Sequence, residues 1–237
     1  MAGRSDVDGD SAAATALRAI AESVRGTFQS AETMTKSFIR EAIQQGAFEP
    51  GERLNLDEIA ESLGVSRMPV RASLRQLEGE GLVQISPRRG VTVSVLNAEE
   101  IAEIYELRIL VETHLLTRVM GALDDAFVDD LEAIARSIDD ADDLGAQLEY
   151  RYRLFDKLYE RADRPRMLAL AHSLRESVGR YVRLQRVDEK HTHEALIPFL
   201  RAGDAAGATS WLIEHLRKRS ARLEEFVARQ DGARDDS

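Results

Sequence analysis

Gly64-Val65-Ser66-Arg67-Met68-Pro69-Val70-Arg71, read through to Gly81-Leu82-Val83-Gln84-Ile85-Ser86-Pro87-Arg88-Arg89-Gly90, is the stretch that decides the fold. It reads as a turn, an arginine-bearing helix and a β-hairpin. Gly64 suits the left-handed turn that ends a short helix over Leu56 to Leu63, where a Cβ would be penalised. Ser66 is placed as the N-cap of the next helix, its hydroxyl accepting from an orphan backbone N–H. Pro69 falls in the first turn, where a missing N–H costs little. Val70, Leu74 and Leu77 recur at i, i+4 and i+7 and are expected inward. Met68, Ala72 and Arg75 then point outward, with Arg67 and Arg71 on the flank. Val83 and Ile85 alternate with polar residues on one strand. Val91, Val93 and Val95 alternate with Thr92 and Ser94 on the next. Pro87-Arg88-Arg89-Gly90 joins them as a tight turn carrying two cations.

Turn, helix and hairpin together predict a winged helix-turn-helix, and so a DNA-binding module. Winged helices also serve as protein-interaction modules. Against that stands the local charge: Arg67, Arg71, Arg75, Arg88 and Arg89 face only Glu78 and Glu80 in the same stretch. Arginines at a helix N-terminus suit phosphate and the guanine edge, and cations at a wing tip suit the minor groove. Arg53 reads as a solvated surface charge.

The chain has 237 residues, enough for two domains, and no cysteine, which excludes disulfides and thiolate metal sites. No apolar run approaches the roughly 18 residues of a membrane span, and the N-terminus lacks a basic-then-apolar signal pattern. A cytoplasmic protein without membrane contact is expected. The formal net charge of −10 is unusual for a DNA binder. The positive charge is local to residues 67–89, so DNA should meet a small basic face, presented by a homodimer.

Residues 1–30 read as an N-terminal extension, partly disordered, with a helix over 11–28 marked by Leu17, Ile20, Val24 and Phe28. Residues 31–96 form the winged module. Residues 97–229 form an all-helical effector-binding and dimerisation domain, opened by Asn97 as N-cap. Residues 230–237 read as a disordered tail. Helical periodicity places helices at 98–121, 126–138, 143–161, 165–187, 190–202 and 204–229. The fold class is mainly α, a winged helix with a small hairpin followed by a helical bundle.

The run Ile39-Arg40-x-Ala42-Ile43-x-x-Gly46-x-x-x-Pro50-Gly51-x-x-Leu54, then Leu63-Gly64-Val65-Ser66-Arg67-x-Pro69-Val70-Arg71-x-x-Leu74-x-x-Leu77-x-x-x-Gly81-Leu82, then Arg89-Gly90, closely resembles the GntR family of bacterial transcription factors. The resemblance implies that Ser66, Arg67, Met68 and Arg71 contact DNA, together with the wing residues Arg88, Arg89 and Gly90. Many relatives place an arginine at the start of the second helix, where this chain has Asp57, which suggests an altered operator preference. In the second half, Tyr105-Glu106-Leu107-Arg108-x-x-x-Glu112, Phe155-x-x-Leu158-Tyr159 with Pro165, and His193 followed by Leu200-x-x-Gly203-Asp204 and His215-Leu216 resemble the FadR-type ligand-sensing domain of that family, the FCD domain.

His193, Leu196, Ile197 and Leu200 fall on one helical face, and His215 shares an apolar stripe with Ala208, Leu212 and Leu223. Two imidazoles aimed into one bundle core are a candidate seat for a divalent cation such as Zn²⁺ or Ni²⁺. The alternative is two hydrogen-bonded core histidines without metal. The resemblance implies four ligands, an aspartate and a histidine on the third helix plus two later histidines. This chain has Tyr152 and Asp156 at the first two positions, so the implied ligand set is Asp156, His193 and His215. Arg108 shares a stripe with Tyr105, Glu112 and Leu115. It is either an internal partner of Glu112 or a clamp for an anionic metabolite. Arg175 and Arg180 lie near the same core. His114, His172 and His191 read as structural or exposed.

The expectation is a homodimeric transcriptional repressor on a palindromic DNA operator, controlled by a small carboxylate effector with or without a metal. An acyl-thioester sensor is the alternative within the family. A metalloenzyme reading finds no Ser–His arrangement, no His-Glu-x-x-His and no cysteine.

Overall fold

The computed structural model describes residues 15, 17, 19–22, 30–88, 90–185 and 193–235, with side chains to Gln230. Contacts divide the chain into two units, 1–95 and 96–237.

In the first unit, helix α1 (Ala31–Gln45) starts at Ser30, whose hydroxyl accepts from Thr33 N–H, and ends at Gly46 in the left-handed region. Helix α2 (Leu56–Leu63) runs from Asn55 to Gly64, which has φ 68°. Helix α3 (Arg67–Gly79) follows at once. Strands β1 (Val83–Ser86) and β2 (Gly90–Val93) pair antiparallel, Val83 opposite Val93 and Ser86 opposite Gly90. Arg53 adds an isolated bridge to Thr92 on the far side of β2. Phe38, Ile39, Ile43, Val70, Leu74, Leu77, Leu82 and Val83 form the core. The i, i+4, i+7 stripe of α3 is thus buried as its spacing requires. Ser73 Oγ donates to Glu32 O, pinning α3 to α1.

Two local expectations change. Ser66 has cap geometry, but its hydroxyl makes no cap hydrogen bond. Pro69 is the third residue of α3, the usual donor to such a cap, and it has no N–H to give. Ile85 is 39% exposed, because the hairpin outruns the core after Val83. Of the helix read over 11–28, the described residues are helical and Ile20 and Ala21 are buried, while Val24 and Phe28 lie outside the described residues. Residues 1–14 lie outside them too.

The second unit is all helical. Helix α4 (Ala98–Val119) opens with a capping box between Asn97 and Glu100. After a 3₁₀ turn at Met120–Ala122 come α5 (Asp125–Asp140), α6 (Leu144–Glu160) and α7 (Pro165–Gln185). Asp124 and Asp143 cap α5 and α6 through their carboxylates. A 3₁₀ turn at Glu194–Leu196 leads into the short α8 (Ile197–Arg201), then α9 (Ala205–Asp235). The helix expected over 190–202 is interrupted because Pro198 cannot donate to Glu194 O, so the chain tightens to 3₁₀ there. Helix α9 runs to Asp235, past Arg229 where the sequence reading ends it. Helix α4 packs against α6, α7 and α9, and α5 against α6 and α8. Tyr105, Leu115, Leu116, Leu131, Phe155, Leu158 and Leu212 lie in the shared core. The unit begins at Leu96, whose backbone N–H donates to Tyr181 Oη of α7 at 2.6 Å.

Among the described residues, no helix is long and apolar enough to cross a membrane.

Candidate functional site

On the first unit, the start of α3 and the wing border one groove of about 970 Å³. Its lining includes Arg53, Arg67, Arg71 and Arg75, with Ile85 and Pro87 from the hairpin. Ser66, Arg67, Met68, Arg71 and Arg88 are all exposed, and Met68 is 74% exposed despite being apolar. Gly90 has φ 76°, and the guanidinium of Arg53 crosses it, with Nε 3.2 Å from where a Cβ would stand. Arg89 lies outside the described residues. Arg53, read from sequence as a solvated charge, shares the groove with the α3 arginines. Its signal was tertiary, since only the pairing with β2 brings it there.

Asp57 has a direct consequence. Its carboxylate accepts from both Nε and Nη2 of Arg67, the second bond at 2.6 Å. Both side chains are more than half exposed, so the pair contributes little stability, about 0–1 kcal/mol. Its effect is on direction: it holds one guanidinium of the groove toward α2.

In the second unit, a small cavity of about 30 Å³ lies among α4, α6, α7 and α9. Arg108, Arg151, Arg175 and Arg219 line it, together with Tyr152, Phe155, His193 and His215. All four arginines are buried. Arg108 Nε donates to Glu112 Oε1 at 2.8 Å, and its cation sits over the Tyr105 ring. Burial opposes the Arg108 charge, but Glu112 and the nearby phenols outweigh it and hold the guanidinium above its usual pKa. Glu112 also accepts from Tyr159 Oη at 3.1 Å, and Arg175 Nη1 stands 3.7 Å from it. Arg108 is therefore the internal partner of Glu112, and it also lines the cavity. Arg151 and Arg219 were not singled out from sequence. The signal was present: Arg151 falls in the stripe Leu148, Phe155, Leu158, and Arg219 four residues after His215.

The two histidines do meet. Their ring centroids are 5.0 Å apart, with Phe155 at 5.9 Å from His193 and Trp211 stacked on His215 at 4.9 Å. Burial, then the charges of Arg151 and Arg219, push His193 well below the usual imidazole range. His215 is pushed the same way by burial, then by His193 and the arginines. Both rings are neutral at pH 7. His193 is 2% exposed, and neither of its ring nitrogens has a hydrogen-bond partner among the described residues.

Asp156 does not join them. Phe155 is the residue of α6 that faces the imidazoles, and one step along a helix turns a side chain by about 100°. Asp156 instead takes Arg175 Nη2 and, at 3.2 Å, His172 Nδ1. Asp156 and then Glu176 raise the His172 pKa to about 9. His114 is exposed and His191 lies outside the described residues.

The divalent metal implied by the family resemblance does not fit these residues. Among the described residues no group of three potential ligands assembles. Two imidazoles alone fall short of the three or four protein ligands of a zinc site. The four arginines of the same lining would repel a dication. What the cavity offers is cationic and hydrogen-bond-donating, which suits an anion.

Comparison with known proteins agrees with this two-part architecture. Residues 33–93 match the profile of bacterial regulatory proteins of the gntR family, and residues 103–218 match the FCD domain. The HTH-type transcriptional regulator YdhC of Bacillus subtilis is 34% identical over 122 residues, 52% of this chain and 54% of that protein. The gluconate operon transcriptional repressor of Bacillus subtilis is 34% identical over 115 residues, 46% of this chain and 47% of that one. The matched span thus covers about half the length of these relatives. A GntR-type transcriptional regulator from Rhodococcus sp. RHA1 superposes with a TM-score of 0.67 at 26% identity, over 81% of this chain and 96% of its own. E. coli McbR/YncC shares the fold with a TM-score of 0.72 at 20% identity, over 84% and 99% of the two chains.

Proposed function

This chain belongs to the GntR family of bacterial regulatory proteins, with an FCD domain as its second unit, and on that premise we propose that it is a transcriptional repressor released by a small organic acid. The family and its named relatives are regulators, not enzymes. The observation that carries the reading is the groove beside α3, lined by Arg67, Arg71 and Arg75 of the helix and by Arg53, next to the exposed edge at Ser66, Arg67 and Met68. Arg71, with Arg67 beside it, reads base edges and phosphates, and Arg88, Arg89 and Gly90 set the wing against the backbone. Two copies bind the half-sites of a palindromic operator as a homodimer, the symmetry of the protein matching that of the DNA. The effector enters the helical cavity and shifts operator affinity through a coupling of about 1–3 kcal/mol. Its arginines favour a carboxylate over the long apolar chain of an acyl-thioester.

The test begins with an operator selected from a random duplex pool and measured by fluorescence anisotropy. Arg71→Ala is expected to weaken specific binding by about 1–3 kcal/mol with the fold intact. Unchanged affinity would remove Arg71 from the interface. Light scattering of the free and operator-bound protein gives the subunit count, and a monomer on a single half-site would end the dimer reading.

A further inference from the structure

Resting on the DNA-binding role of the first unit, we infer that Arg53 is a further DNA contact, which binds a backbone phosphate on the DNA strand that passes between α3 and the wing. Arg53 belongs to neither of those elements. It precedes α2, in a short extended segment that pairs along the outer edge of β2. Gly51 N–H donates to Val93 O at 3.0 Å, Val93 N–H to Glu52 O at 2.9 Å and Leu54 N–H to Val91 O at 2.9 Å. Leu54 is buried in the core of the unit, and successive side chains of an extended segment point to opposite faces. Arg53 is therefore turned outward, and it is exposed.

Two features distinguish it from an ordinary surface cation. The first is its seat. The guanidinium lies across the bare backbone of Gly90, with Nε 3.2 Å and Nη2 3.4 Å from where a Cβ would stand. Resting on the hairpin, it has less side-chain freedom to lose on binding than an arginine that trails in water. The second is its charge environment. Arg53, Arg67, Arg71 and Arg75 line one groove with two carboxylates, Asp57 and Glu58. Both acids are already engaged, Asp57 by Arg67 and Glu58 by Asn55 Nδ2 at 2.7 Å. Among the described residues, the guanidiniums of Arg53, Arg71 and Arg75 make no hydrogen bond or ion pair.

Placement then decides what Arg53 meets. With α3 in the major groove and the wing tip at the adjoining minor groove, one sugar-phosphate strand separates the two. That strand passes through the protein groove bordered by α3 and the hairpin, which Arg53 lines. A guanidinium matches a phosphate bidentately, and such a contact fixes register without reading sequence. Arg53 thus strengthens binding to any duplex, whereas Arg71 discriminates among them.

The experiment uses the full chain, its selected operator and a random duplex of equal length, with binding followed by fluorescence anisotropy as salt is varied. Arg53→Gln is expected to weaken both duplexes equally and to flatten the slope of log K against log salt by about 0.9 per half-site. At about 0.1 M salt that slope corresponds to roughly eightfold weaker binding per half-site. Arg53→Lys is expected to restore the slope, since an ammonium still neutralises a phosphate. Arg71→Ala, measured alongside, is expected to lose the preference for operator over random duplex. An unchanged slope in Arg53→Gln, with or without weaker binding, would overturn the inference and leave Arg53 a surface charge or a prop for the wing. A loss confined to the operator would overturn it as well, making Arg53 a reader of bases. Modification of the wild-type protein by a glyoxal reagent, read by mass spectrometry, needs no variant. Arg53 is expected to be protected by either duplex, and equal reaction with and without DNA would refute the contact. Wild-type protein that binds neither duplex would end the DNA reading itself, a result distinct from all of these.

Discussion

Lowering the pH from 6.5 to 5.0 should destabilise the helical unit through its two buried imidazoles. Both His193 and His215 have pKa values well below the ordinary 6.5 in the folded protein, burial being the largest cause. The unfolded chain therefore binds more protons below pH 6.5 than the folded one. Their contribution is present above 6.5 and is lost as pH falls through it. For an imidazole that stays fully neutral when folded, the loss between pH 6.5 and 5.0 reaches at most about 1.6 kcal/mol, so the pair costs at most about 3 kcal/mol. That is a large part of the roughly 5–15 kcal/mol that holds a typical domain folded. His172 works in the opposite direction, because its folded pKa is raised to about 9. Its contribution is complete below 6.5 and lost between 6.5 and 9. It is half-exposed, so screening leaves it a fraction of a kcal/mol. Asp124 and Glu214 are lowered from 3.8 and 4.5, below this window. The assay is urea unfolding between pH 5.0 and 7.5, read by the fluorescence of Trp211, the single tryptophan, which stacks on His215. His193→Leu should reduce the loss to about half. A flat stability profile over this range, or the same slope in the variant, would refute neutral burial of these rings.

Ser66→Ala should leave thermal stability nearly unchanged, where loss of a bonded N-cap costs about 1 kcal/mol, because the hydroxyl caps nothing here. Operator affinity should still fall, and a melting loss of a kcal/mol or more would mean that the cap forms in solution. Asp57→Asn should release Arg67 to the groove and steepen the slope of log K against log salt by about one unit. An identical salt slope and base preference would show that the pair does not direct Arg67. Glu112→Gln should cost about 3–5 kcal/mol in denaturant unfolding, since it leaves the buried Arg108 charge uncompensated. A loss under about 1 kcal/mol would mean that Arg108 reaches solvent or another acceptor.

The winged module was legible because its signals are local. The stripe of Val70, Leu74 and Leu77, the left-handed Gly64 and the paired valines of the hairpin each follow from neighbours in sequence. The helices of the second unit were equally readable from periodicity, apart from the turn imposed by Pro198. The cavity was read only in part. His193 and His215 were found because an imidazole on an apolar stripe stands out. Arg151 and Arg219 sit on such stripes as well, but a long cation is easily imagined reaching back to water. Asp156 was assigned by resemblance and not by its own periodicity, which places Phe155 toward the histidines. Arg53 depends on strand pairing, which a single segment does not reveal.

The bond from Leu96 N–H to Tyr181 Oη has one more consequence. Leu96 is the first residue of the helical unit, directly after the last residue of the DNA-reading one. Its amide proton is held by a phenol carried on α7, the helix that also presents Arg175 and Gly179 to the cavity. Deuterium uptake at that single amide therefore times the excursions of α7. A slowing or quickening there, when a candidate metabolite is added, would register occupancy of the cavity at the point where the chain crosses between units, without any need for DNA.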